Sequence, residues 1–152
     1  MSGSPTSQRL AQDALEEHQQ IHFYLDQIAQ TLAGLREGVS DNEPMLRLAA
    51  QIEGLTERLK EHHQLEERGG LFRAILDAVP EARVEISRLV RQHEKMIEIL
   101  EMARIHAQCG QPTEADALRV DLERFMEMFR GHERAEEQLL REAIGREGQA
   151  PE

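Results

Sequence analysis

Glycine and proline are concentrated at a few points of this chain, and everything between them is long, free of strand-forming runs and periodic in apolar residues. Such punctuation restricts the fold to a handful of long helices. The first helix is expected from about Gln8 to Glu37, ahead of Gly38-Val39-Ser40-Asp41-Asn42-Glu43-Pro44. There Gly can end one helix, Ser, Asp or Asn can cap the next, and Pro44 fits the first turn. The second helix is expected to run to about Ala78, where Pro80 forces a break and opens a third that reaches Gln108. After Gly110-Gln111-Pro112, Thr113 with Asp116 three residues on can cap a fourth, which fades near Gly145 and Gly148. Residues 8–146 are thus expected to form one all-α domain, an up-down-up-down four-helix bundle, between disordered ends at 1–7 and 147–152. The absence of Trp, with one Tyr and four Phe, agrees with a helical rather than a sheet-based core.

Each segment carries one apolar seam with alternating spacings of three and four residues. The second reads Leu48, Ile52, Leu55, Leu59, His62, Glu66, and the fourth reads Leu118, Leu122, Phe125, Phe129, His132, Glu136. Both turn polar abruptly and in the same way. The first seam reads Leu15, His18, His22, Leu25, Ala29, Leu32 and the third Ile86, Val90, His93, Ile97, Leu100, so a histidine stands in each where Leu would otherwise be. Gly69-Gly70 interrupts the second segment one turn past Glu66. Each Gly costs roughly 1 kcal/mol against Ala in a helix interior. A kink or a tight backbone approach is expected there, serving either close helix packing or a channel to the core.

A histidine and a glutamate four residues apart share a helix face, so His62/Glu66 and His132/Glu136 can each reach one metal ion or two neighbouring ones. Antiparallel neighbours bring the other histidines to the same level: His18 precedes Asn42 by 24 residues, His62 follows it by 20, His93 precedes Pro112 by 19 and His132 follows it by 20. A single histidine on an apolar seam is commonly a hydrogen-bonded core residue. Two carboxylates and four imidazoles at one depth differ, because burial without partners would cost several kcal/mol per carboxylate, which a shared cation removes. A proton-bonded polar network is the competing reading. Imidazole and carboxylate without thiolate fit iron, manganese or zinc and exclude calcium and iron–sulfur sites. Six donors exceed one tetrahedral zinc. If both glutamates bridge, two near-octahedral ions keep room for a bridging oxygen and an outside ligand such as dioxygen.

These strings, Leu15-Glu16-Glu17-His18, His62-His63-Gln64-Leu65-Glu66-Glu67, Arg91-Gln92-His93-Glu94 and His132-Glu133-Arg134-Ala135-Glu136-Glu137, closely resemble the hemerythrin-like domain, also called the HHE cation-binding domain. The resemblance spans about Gln8 to Ile144 and implies a di-iron centre on His18, His62, Glu66, His93, His132 and Glu136, with zinc or manganese as alternatives. Oxygen-carrying hemerythrins have a second histidine one turn after the position of His93, where this chain has Ile97. Their last carboxylate is an aspartate one residue further on, where this chain uses Glu136. Those departures point away from reversible oxygen carriage and toward binding or sensing dioxygen or a related small oxidant. An enzyme turning over peroxide or nitric oxide and a metal-free helical interaction module are the alternatives.

His22, one turn past His18, could be a further ligand, a second-layer donor or a core residue, and the latter two are favoured. Glu67 and Glu137 point about 100° away from the bridging positions, where solvation, the default, or an orienting hydrogen bond to a ligand histidine are the options, and His63 and His106 are expected at the surface. The two halves, with 44 and 39 residues between their histidines, read as a duplicated hairpin and predict a two-fold site. A net charge of −11 without a basic stripe argues against nucleic acid and anionic membranes as partners, and no protein partner is indicated. With a single cysteine, Cys109, no signal peptide and no membrane-length apolar run, the expected location is cytoplasmic.

Overall fold

The computed structural model describes residues 4–35, 43–109 and 114–148. They form α1 (Ser4–Leu35), α2 (Glu43–Arg68), α3 (Leu71–Ala78), a 3₁₀ turn (Pro80–Ala82), α4 (Arg83–Gln108) and α5 (Ala115–Gly148). α1, α2, α4 and α5 make an all-α four-helix bundle in which α1 packs on α2 and α5, and α4 on α2 and α5. α1 begins at Ser4 rather than Gln8, with Pro5 in its first turn, where the missing N–H costs no helical bond. The cap positions expected at Ser40, Asp41, Asn42 and Thr113 lie outside the described residues, as do 1–3 and 149–152.

The seams of α2 and α5 are buried as expected, from Leu48 to Glu66 and from Leu118 to Glu136. Those of α1 and α4 are rotated by one position. α1 buries Ala14, His18, Ile21, Leu25 and Ile28, leaving Leu15 exposed, and α4 buries Leu89, His93 and Met96 where Val90, His93 and Ile97 were expected. Apolar residues occur on both sides of these stripes and the histidine belongs to either, so periodicity alone admits both registers and the packing of the neighbouring helices selects one.

The second segment does not kink at Gly69-Gly70; it breaks. Gly70 has φ +106, a left-handed conformation that glycine adopts without Cβ strain, and α3 starts immediately after it. This lets α3 fold over the end of the bundle against α5, α2 and α1. Leu71, Phe72 and Ile75 of α3 join Val79, Leu89, Leu139 and Leu140 in one apolar cluster. A larger cluster, from Ile28 and Leu48 to Phe125 and Phe129, fills the rest of the bundle. The polar residues of the seams occupy the level between the two, toward the end that α3 covers.

Candidate metal centre

Glu66 and Glu136 are almost fully buried, at 1% and 0% exposure, and each is flanked by one imidazole from its own helix and one from another. Glu66 Oε2 lies 2.7 Å from His62 Nε2 and Oε1 lies 2.8 Å from His93 Nε2. Glu136 Oε2 lies 3.1 Å from His132 Nε2 and Oε1 lies 3.1 Å from His18 Nε2. The Nε2 atoms of His93 and His132 face each other at 3.2 Å. All six side chains expected as ligands therefore meet at one place. Donor atoms of His18, His62, Glu66 and Glu136 fall within 4.8 Å of one another, as do those of Glu66, His93, His132 and Glu136. Two overlapping groups of four share the two carboxylates, with the pairing His18/His62 on one side and His93/His132 on the other.

Several of these atoms have no hydrogen-bond partner: Nε2 of His18, Nε2 of His62, both oxygens of Glu66 and Oε1 of Glu136 are buried and unmatched. Their contacts are short but poorly aligned for proton sharing, as expected of donors aimed at a common cation. Without one, burial and the nearby Glu136 charge push the Glu66 carboxyl well above its usual range. Glu136 is opposed by burial, yet its close neighbours Glu66, His132 and His18 together hold it well below. Burial works against the His132 imidazolium too, but its hydrogen bond to Glu136 and the nearby Glu66 carboxyl win and raise it to about 9. The metal-free cluster thus keeps protons where a cation would supply positive charge.

Three of the four outward Nδ1 atoms are individually tethered. His62 Nδ1 donates to Glu17, His93 Nδ1 to Glu67 Oε2 at 2.6 Å, and His132 Nδ1 to Gln92 Oε1 at 2.9 Å. His18 Nδ1 is nearest Glu133 Oε2, at 3.4 Å. A bond at Nδ1 selects the tautomer whose Nε2 lone pair faces inward. Glu67 thus leaves its default place in solvent for the other option, an orienting bond to His93. Glu17 and Gln92, each one residue before the lone histidine of its half, were not anticipated, although that repeated position in the two hairpins was the available signal.

His63 also departs from expectation. It is 6% exposed and lies flat on His93, ring centroids 3.7 Å apart and planes 8° from parallel, with Phe72 stacked on His93 at 5.7 Å. The ring is taken up between helices, on His93 of α4 and 6.4 Å from His132 of α5. Burial, then the neighbouring imidazoles, depress His63 to about 2, and its Nε2 has no partner. Burial lowers His93 to about 4 despite Glu67. His22 does not reach the centre; it is half exposed and bonds Glu133 at 2.9 Å. His106 is partly buried beside Glu114 and Asp121, far from the site in sequence and on the opposite stretch of α4.

A cavity of about 60 Å³, open to solvent on one side, reaches His62 and Glu66 between Leu10, Ala14, Leu65 and Gly69. Its volume suits a diatomic molecule or a few waters. Among the described residues no helix is long and apolar enough to cross a membrane. The arrangement is a buried dinuclear cation-binding cluster with access for a small molecule. No curated protein and no solved structure matches the chain. The model of the hemerythrin HHE cation-binding domain matches residues 11–144, and the chain belongs to that family.

Proposed function

We propose that the chain holds two iron ions at this centre and binds or senses dioxygen or a related small oxidant there. His18 and His62 would serve one ion, His93 and His132 the other, and Glu66 and Glu136 would be shared between them. The observation that carries this reading is the convergence of buried, unmatched nitrogen and carboxylate donors on one point. Nitrogen and carboxylate donors suit iron over softer ions that prefer thiolate, and iron adds electron transfer and affinity for small oxygen ligands when bound. The chain's own part is to fix the imidazole tautomers through Glu17, Glu67 and Gln92, to exclude bulk water with α3, and to leave the cavity beside His62 open. Four protein donors per ion leave positions for an outside molecule, which fits binding or sensing. The lone exposed Cys109 fits a reducing, cytoplasmic location.

Anaerobic reconstitution with ferrous iron should give two ions per chain, and admitting air should produce a new near-ultraviolet and visible absorption. Stoichiometric zinc binding in preference to iron, with no air-dependent spectrum, would overturn the proposal. The open positions and the cavity equally admit a second reading, turnover of peroxide or nitric oxide. Steady-state assays of the iron-loaded protein separate the two, since a binder stops after a few turnovers.

A further inference from the structure

His18 stands at the wall of the buried centre with a nitrogen on each side. Its Nε2 faces inward, 3.1 Å from Glu136 Oε1. Its Nδ1 faces outward, 3.4 Å from Glu133 Oε2 and 3.9 Å from Glu137 Oε2, yet it is buried without a hydrogen-bond partner. One donor atom from each of His18, Glu133 and Glu137 lies within 4.8 Å of the others. His22 Nε2 extends the group outward, 2.9 and 3.0 Å from the two oxygens of Glu133. Exposure falls along this row, from 46% for the His22 side chain to 11% for Glu133 and 4% for His18, with Glu137 at 35% beside it.

The other half of the molecule lacks this arrangement. Position for position, His63 occupies the place of Glu133, one residue after the histidine of its His-x-x-x-Glu turn, and Ile97 the place of His22. His63 is stacked and buried and Ile97 packs against the core, so that half offers no carboxylate next to its inner histidine except the tether Glu67. The sequence duplication therefore leaves a carboxylate and histidine row on the α1/α5 face alone.

We propose that His22, Glu133 and Glu137, with the outward nitrogen of His18, form a third divalent-cation site that takes ions from solvent and passes them to the buried centre. Its donors are the same nitrogen and carboxylate types as those inside, so an ion exchanges ligands without changing preference. Two carboxylates at a partly exposed mouth draw cations in, and His18, contacting both sides, marks the point of transfer. When the centre is filled through Nε2, His18 Nδ1 keeps its proton and no longer binds, so the outer site weakens once loading is complete. The path to the centre rests on the proposed dinuclear reading; the outer site rests on its own residues.

The test is titration of the full metal-free chain with cobalt(II), counted by calorimetry and timed by stopped-flow absorption, in wild type, His22→Ala and His22→Ala/Glu137→Gln. Circular dichroism verifies that each variant keeps its helices. The expected result is two tight equivalents and one weak one in wild type. The double variant should lose the weak equivalent, keep the tight pair and fill it about tenfold more slowly. Two equivalents only in wild type, or filling at the same rate in every variant, overturns the proposal. If no tight pair binds to any form, the dinuclear reading fails separately; a lone equivalent lost in the variants still upholds the outer site, and its retention overturns it.

Discussion

Glu66 joins two helices that are not consecutive in function: one of its oxygens lies 2.7 Å from His62 on α2 and the other 2.8 Å from His93 on α4. In the absence of a cation, burial and the Glu136 charge push its carboxyl well above the usual range and so favour the neutral form, which an amide of the same shape resembles. Glu66→Gln should therefore alter the stability of the metal-free protein by no more than about 1 kcal/mol. Binding is another matter, because the amide brings no negative charge to two ions and a weaker donor to each. Metal content after reconstitution should fall below two per chain and affinity by about 100-fold or more. Elemental analysis beside urea unfolding checks both; unchanged metal content would remove Glu66 from the centre.

His63 and His93 make the metal-free protein sensitive to acid. Both are held below their ordinary value of 6.5, His63 at about 2 and His93 at about 4. The unfolded chain therefore takes up these protons first, and stability falls as pH drops below 6.5, to about 4 for His93 and further for His63. His132 works in the opposite direction: raised to about 9, it contributes stability fully present below 6.5 and lost as pH rises through 9. His63→Leu removes one acid-sensitive group and an unmatched nitrogen, at the cost of a stacked pair. It should gain about 1 kcal/mol at neutral pH. Its acid midpoint, followed by circular dichroism, should move to lower pH; an unchanged midpoint contradicts the assigned environment.

Among the three tethers in hydrogen-bond geometry, two are carboxylates and the third, Gln92 on His132, is an amide. A carboxylate raises the basicity of the imidazole it holds more than an amide does. Glu67→Gln should accordingly weaken metal binding by about tenfold, while Gln92→Glu strengthens it. Competition against a chelator of known affinity measures both. Two changes of the same sign would mean that the tethers act only by packing.

The bundle and the inner six donors were legible because both depend on spacing along single helices. His62/Glu66 and His132/Glu136 share faces by helical geometry, and antiparallel pairing fixes their level with His18 and His93. His63 was not legible, since its burial comes with its stacking on His93 of α4 and its approach to His132 of α5, tertiary contacts that spacing along α2 does not reveal. Glu17, Glu67 and Gln92 lie off the seams, where periodicity assigns side chains to solvent; only the packed partner helix turns them toward a histidine. The rotated stripes of α1 and α4 have a similar origin. Leu15 and Ile97 are as apolar as Ala14 and Met96, and the neighbouring helices choose between them.

The two glycines of the break should separate by function. A Cβ on Gly70 meets no atom within 4 Å, so Gly70→Ala suffers only from its φ of +106 and should cost about 1–2 kcal/mol. A Cβ on Gly69 would come 2.5 Å from the Leu65 carbonyl oxygen and 3.0 Å from its Cα, both backbone atoms. Relief requires the last turn of α2 to shift, at about 1–3 kcal/mol. Glu66 is in that turn, so Gly69→Ala displaces a carboxylate of the centre and narrows the cavity beside it, whereas Gly70→Ala strains the chain outside the cavity's lining. Both variants should unfold at lower urea concentration, and only Gly69→Ala should release metal faster to a chelator. Equal release rates would detach the break from the centre and leave α3 as a cover alone.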